Sequence, residues 1–483
     1  MNFIFPYRVT AGVGLAALVG CGSDSTSPQT NPCDTAPGSC TAVISGDITA
    51  SRTLRADTAY TLGSYVHVTG SGTVLTIELG TVITGRIGSA LFILPGARIE
   101  ANGTVEKPIV FTSDQPVGSR KPGDWGGLIL VGRGVINRTG TVELEGTGSS
   151  TDNYPVTYNG GTNNADNSGT LRYVRVEFAG FGVAANQELN SFTFAAVGSG
   201  TTLEYLEALA GLDDSYEWFG GAVDGKYLVS YESGDDHFDA AEGYVGRNQY
   251  LIGFQSVILQ PRAGSGTLSA DPQGFEIDGC GSASGSGCGQ GYNSTPLTSP
   301  LFANFTLIGT GPNNDVAATS GGIGLLLRRG TAGYWVNGLL ARWPRAAMSF
   351  RDPETQQRFT DNVAVVKNVL IAETGTTTGT NAPMFESGTG RFTTDAIANV
   401  LTSTAPTVTT AALLTALPAA PANAAALDWS LPTASAARTG GTGAFSGALA
   451  TKAGSFVAGT SFVGAADPSG AKWWQGWTSY ARN

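Results

Sequence analysis

Short runs of apolar, β-branched and aromatic residues recur along most of this chain, separated by Gly, Asn and Thr. Between residues 41 and 113 they read YTLGSYVHVTG, TVLTIELGTVITG, SALFILPGARIEANGT and KPIVFTS. They resume at LRYVRVEFAG and NSFTFAAVG, and again at LFANFTLIGT, GIGLLLRRG, YWVNGLLARW and NVAVVKNVLIAE. Such runs predict strands, with glycine supplying the positive-φ corners between them. Long helical periodicities are few. In the middle the runs become an explicit repeat. Tyr205, Tyr227 and Tyr250 fall in register, as do Leu206, Leu228 and Leu251. Asp213 aligns with Asp235, Asp214 with Asp236, and Glu217 with Asp239. A period of 22, then 23, residues with β-prone runs predicts an all-β parallel solenoid with one coil per repeat.

Two stretches interrupt the pattern. Residues 145–169 and 261–300 are rich in Gly, Ser and Asn, and both read as loop excursions from the coils. Residues 42–394 are expected to form the solenoid. Residues 395–483 change character: an Ala-rich segment, with a short helix expected around Thr410 to Leu417, precedes a finish containing Trp473, Trp474 and Trp477. This part is expected to cap the last coil, since an open solenoid end exposes strand edges and core. Its tryptophans suit packing on the solenoid, with sugar stacking by Trp473 and Trp474 as the alternative.

Composition narrows the class. Gly accounts for 68 of 483 residues and only 13% are charged, which fits a turn-rich β protein. A net charge of −11 without a basic stripe argues against nucleic acid as a partner. The acidity fits cation binding or solubility.

The N-terminus has one early cation, Arg8, then the apolar run AGVGLAALVG. Residues 1–20 therefore read as a signal peptide. Leu18-Val19-Gly20-Cys21 resembles the lipobox of bacterial lipoproteins. That resemblance implies diacylation of Cys21, which becomes the mature N-terminus, with residues 21–41 as a flexible tether. Gly22 after the cysteine implies, by analogy with enteric bacteria, the outer rather than the inner membrane. Removing Cys21 from five cysteines leaves the close pairs Cys33/Cys40 and Cys280/Cys288. An even remainder in an exported chain predicts two local disulfides.

LFILPGARIEANGTVEKPIVFTSD and GDWGGLILVGRG resemble segments of secreted right-handed parallel β-helix proteins of the pectin-lyase-like superfamily. With YEWFGGAVDGKYLVSYESGDDHFDAAEGYVG and FVGAADPSGAKWWQGW, they extend the resemblance over residues 85–480 to exported bacterial β-helix lipoproteins. It implies a right-handed β-helix and a cell-envelope address, and brings no activity.

The repeat stacks acid on acid, and this is the main chemical signal. Asp213, Asp214, Glu217, Asp235, Asp236 and Asp239 offer oxygen ligands from two coils, suited to calcium. Alternatively, Asp235 and Asp236 are catalytic carboxylates of a glycoside hydrolase or polysaccharide lyase. Gly234-Asp235-Asp236 resembles the Gly-Asp-Asp motif of polygalacturonase-type glycosidases, with His237 placed to tune the pair. The companion Asn-Thr-Asp, Gly-His-Gly and Arg-Ile-Lys motifs do not occur. A lyase wants a basic residue, for which Lys226 and Arg247 are the nearest in sequence. The third reading is that these acids cap turns and face water. Tyr216, Trp218, Phe219 and Phe238 lie in the same repeat, either as core or, for Trp218, as a stacking platform. Without a complete catalytic set, the leading expectation is a non-catalytic binding or structural lipoprotein, taking polysaccharide or an envelope protein.

Overall fold

The computed structural model describes residues 40–148, 155–184, 187–268, 272–281, 287–311, 321–373, 384–393, 400–405 and 408–481. Cys21, Cys33, the signal segment and nearly all of the tether lie outside them. The strands wind into a parallel β-helix. The first full coils each carry three short strands, as in Val74–Ile77, Val82–Gly85 and Ala90–Ile93. At Gly169–Glu177 the first two strands of the coil fuse into one long bent strand. Its first half pairs with Arg98–Asn102 and its second half with Ile109–Ser113. The same strand type then repeats at Thr202–Leu209, Asp224–Tyr231, Arg247–Phe254, Leu301–Ile308, Gly333–Ala341 and Ala364–Ala372.

Each bend is made by one left-handed residue. Tyr173, Tyr205, Tyr227, Tyr250, Asn304, Asn337 and Asn368 have φ between 48° and 66°. Asparagine tolerates this region through its short polar side chain. Tyrosine does not, and its positions are offset by stacking. The four rings lie nearly parallel, with centroids 4.3, 4.4 and 5.1 Å apart. A second parallel sheet carries the third strand of each coil, through Leu128–Val131, Phe192–Ala195, Tyr216–Phe219, Phe238–Ala241 and Gln273–Asp278. Inside it, Phe192, Tyr216, Phe238 and Phe275 form a column, with centroids 5.1, 5.3 and 5.5 Å apart.

Four findings revise the expected plan. First, the solenoid begins before the expected end of the tether. Cys40 opens a strand, Cys40–Ile44, that pairs in parallel with Thr58–Leu62, Cys40 lying opposite Thr58. Cys40 shares its inward face with Ala42 and Ile44 and packs, partly buried, against the coil core. It is therefore a residue of the first coil rather than part of a flexible linker. The alternation of Cys40, Ala42 and Ile44 was the signal, and the Pro-Gly-Ser before it masked it. Cys40 is disulfide-bonded, and Cys33, the partner expected from the sequence, lies outside the described residues.

Second, Gln273–Asp278 is a buried strand inside the stretch expected to be loop. Its flanking Gly and Ser residues hid a short Phe275-Glu276-Ile277 alternation. The disulfide beside it does form, joining Cys280 to Cys288 with Cα atoms 5.9 Å apart.

Third, the earlier excursion is not purely polar, and its cover starts before residue 145. Val156 and Tyr158 within it, with Ile136, Val142 and Leu144 ahead of it, are buried on the outer face of the second sheet, over Tyr65, Phe92, Ile129 and Val131.

Fourth, the C-terminal part lies along the flank of the long sheet rather than over the last coil. Leu413, Trp429, Phe462, Trp474 and Trp477 pack on Leu209, Val229, Tyr231, Ile252, Ile308 and Leu339. The long strands are apolar on both faces, as sheets covered on both sides are. The expected helix is a single turn, Thr410–Leu413.

Candidate functional site

The acids collect on the outer face of the second sheet and in the turn that leads into each of its strands. Along the strands, Tyr216, Phe238 and Phe275 point inward, and the next residue points outward. Glu217 pairs with Asp239, and Asp239 with Glu276, in register. Parallel neighbours are about 4.8 Å apart, so three carboxylates stand in a row.

In the turns, a side-chain ladder joins the coils. The Asp214 N–H donates to Asn190 Oδ1 (3.0 Å), and the Asp236 N–H donates to Asp214 Oδ1 (2.8 Å). The Gln273 N–H donates to Asp236 Oδ1, and the Ile323 N–H donates to Gln273 Oε1 (2.9 Å). Asn190, Asp214, Asp236 and Gln273 thus do one job on successive coils: each side-chain oxygen satisfies a backbone donor of the next. These four are at most 6% exposed.

Three carboxylate triads follow: Asp213, Asp214 and Asp235; Asp214, Glu217 and Asp239; and Asp236, Asp239 and Glu276. Within each, the oxygens lie within 4.8 Å of one another. Burial pushes the carboxyls of Asp213, Asp214, Glu217, Asp236 and Asp239 well above the usual range, and the neighbouring acids push them further. Glu145 is raised to about 7 by burial, then by Glu188, Asp235 and Glu242. Cations stand only at the margins of this group among the described residues. Arg328 holds Glu276 and Asp278, Arg329 holds Asp278, and Arg138 holds Glu242 at 2.6 Å. Asp239 Oδ1 is shielded from solvent and has no hydrogen-bond partner. A donor set of carboxylate oxygens alone, with one buried oxygen unpartnered, fits a hard cation such as calcium rather than a soft metal.

All six acids named from the sequence are brought together. The repeat alignment missed Glu145 and Glu188, contributed from outside it, and Glu276 and Asp278, hidden in the strand taken for loop. The strand's register with Phe238 was the available signal.

Other candidates are placed elsewhere. His237 does not tune the acids: its Nδ1 shares a 2.5 Å hydrogen bond with Ser230 Oγ, and burial lowers its pKa to about 3. Lys226 and Arg247 sit on the long sheet, each over the ring of Phe456, and Arg247 also pairs with Asp224. Trp218 is fully buried in the coil interior and Trp474 is 2% exposed, so neither offers a stacking face. Trp473 is half-buried against Tyr227 at 5.2 Å.

The Gly-Asp-Asp tripeptide also has a packing reason. A Cβ on Gly234 would lie 1.9 Å from the Leu212 carbonyl oxygen of the preceding coil. Gly234→Ala is expected to cost at least about 2–3 kcal/mol, because backbone rather than a side chain must move. A denaturant midpoint equal to that of the wild type would show that the turn has room to spare.

Searches of curated proteins and of solved structures returned no match. A family profile, described as pectate-lyase like beta helix domain, matches residues 46–419. That span contains every acid of the cluster and both sheets apart from the opening strand Cys40–Ile44, and the chain belongs to the pectate-lyase-like β-helix domain family.

Proposed function

We propose that this is a lipid-anchored cell-envelope protein with a non-catalytic binding role, and that its acidic face holds calcium. The ladder is what supports the cation. Asn190 and Gln273 do the structural job with neutral amides. Asp214 and Asp236 do the same job between them and add buried negative charge that the backbone bond does not require. Two carboxylates where amides suffice, beside the unpartnered Oδ1 of Asp239, are accounted for by a ligand that needs charge. Such a loaded face suits an envelope polysaccharide or protein rich in oxygen donors. The anchor rests on the lipobox-like sequence ending at Cys21.

An enzyme, lyase or hydrolase, is supported less. A lyase needs a free base at the acids; Lys226 and Arg247 are engaged on the other sheet, and Arg328, Arg329 and Arg138 at the margins of the cluster are each held in carboxylate pairs. Asp236, one of the two catalytic candidates, is 3% exposed with one oxygen committed to the ladder.

Calorimetric titration of the full chain with calcium tests the reading. Saturable binding, weakened at least tenfold by Asp239→Asn, is expected. No binding heat, with a melting temperature indifferent to chelator, would leave the cluster with the structural role of its ladder alone, as buried rather than water-facing acids. Separately, Cys21→Ala is expected to move the protein from the membrane to the soluble fraction, and continued membrane retention would remove the anchor.

A further inference from the structure

Asn190 lies at the edge of the acidic cluster, 1% exposed. Its amide works in two directions. Oδ1 accepts from the Asp214 N–H at 3.0 Å, and Nδ2 donates to Glu217 Oε2, with Thr193 Oγ1 farther off at 3.4 Å. One side chain therefore fixes the backbone that carries Asp214 and orients the carboxylate of Glu217. These are two members of the triad that Asp239 completes. A donor at this point also matters electrostatically. Glu217 is surrounded by Glu145, Asp239, Asp213 and Glu242, and Asn190 gives it a charge-assisted partner, the stronger kind of hydrogen bond. Aspartate would make the ladder bond equally well but would set a further acid against Glu217.

We infer that Asn190 is a positioning residue for the cation site: its amide holds Glu217 turned toward Asp214 and Asp239 and closes the site on that side. This rests on the calcium reading above and goes beyond it, since it assigns a role to a neutral residue that supplies no ligand.

A double-mutant cycle on the full chain tests it, with calcium affinity and metal-free melting temperature as the readouts. Asn190→Ala and Glu217→Gln should each weaken calcium several-fold. The double variant should be no weaker than the worse single one, because both act through the same carboxylate. Asn190→Asp supplies a test of sign. It should lower the metal-free melting temperature while enlarging the rise that calcium produces, because two facing carboxylates repel until a cation lies between them. Additive losses in the cycle, or a calcium-induced rise in Asn190→Asp no larger than in the wild type, would overturn the assignment while leaving the calcium site standing. Should Asn190→Asp not fold without calcium, the cycle alone decides. A wild type without any calcium response overturns both readings.

Discussion

Replacing Asp214 and Asp236 together by asparagine is expected to stabilise the metal-free protein and to abolish its response to calcium. The ladder bonds survive the change, since an amide oxygen accepts the Asp236 and Gln273 N–H groups as a carboxylate oxygen does. Asn190 already shows that this works in the same column. What disappears is buried like charge. Removing buried, poorly compensated ions in favour of neutral groups of the same shape is worth about 1–4 kcal/mol.

The pH dependence has a definite sign. Burial and mutual repulsion raise the folded-state pKa of Asp214 and Asp236 above their unfolded values. A group raised in this way contributes stability that is fully present below its unfolded pKa, about 4, and is lost as pH rises through the folded value. Glu145 adds a loss between its ordinary 4.5 and about 7. The metal-free wild type should therefore melt lower at pH 7.5 than at pH 5. Calcium should restore the difference, and the double variant should show a smaller pH slope and no calcium effect. Melts at the two pH values, with calcium and with chelator, measure all of this. A double variant less stable than the metal-free wild type at pH 7.5 would mean that the carboxylates are held by something other than a missing cation.

The sequence carried the coil and the acid column for one physical reason. A parallel solenoid repeats each environment at every turn, so the same residue types recur at a fixed spacing. Tyr205, Tyr227 and Tyr250 align because the bend needs a left-handed residue braced by stacking. Asp214 and Asp236 align because both serve the next coil's backbone. The repeat weakens where the chain inserts cover, and there the sequence was silent. Glu276 escaped notice because its strand is flanked by loops that lack coil periodicity. Glu145 comes from an excursion whose position no repeat predicts. The direction of each side chain depended on the strand's register, so Trp218 could not be told from a surface ring until Glu217 was seen to point outward beside it.

The C-terminal part illustrates the other limit. Its tryptophans announce burial but not the partner surface, because the partner is set by the outer face of strands far away in sequence. Once placed, the contact explains itself. The long strands carry apolar residues on both faces, and their outward polar groups are those that meet the backbone of the covering segment. Gln249 exchanges two hydrogen bonds with Ala458, at 2.7 and 3.1 Å. Glu207 accepts the Ser479 N–H on both oxygens, at 3.0 and 2.8 Å. Asn337 Oδ1 accepts the Thr442 N–H at 2.9 Å. Asn337 is itself a bend residue, so a bend that shapes the sheet also supplies a hook for its cover.

Trp477→Ala should be the most damaging single substitution in that cover, costing about 3–5 kcal/mol. Trp477 is fully buried, edge-on to Tyr173 and Tyr205 with centroids at 5.7 and 6.2 Å. Its indole N–H donates to the Trp473 carbonyl at 2.8 Å, and its own carbonyl accepts from Arg175 at 2.9 Å. Losing the ring opens a void over the two tyrosines that hold unfavourable backbone angles, and loosens the neighbouring bond from Ser479 to Glu207. Because the cover is a separate layer on a sheet already closed by coil-to-coil pairing, the loss should appear first as local opening rather than collapse of the coils. Limited proteolysis should cut between residues 408 and 481 in the variant under conditions that leave the wild type intact. Hydrogen exchange should quicken there, and in the outward-bonded amides of the long strands, before it does in the second sheet. Uniform acceleration through both sheets at once would show that cover and coils unfold as one unit, and that the C-terminal part belongs to the core of the solenoid.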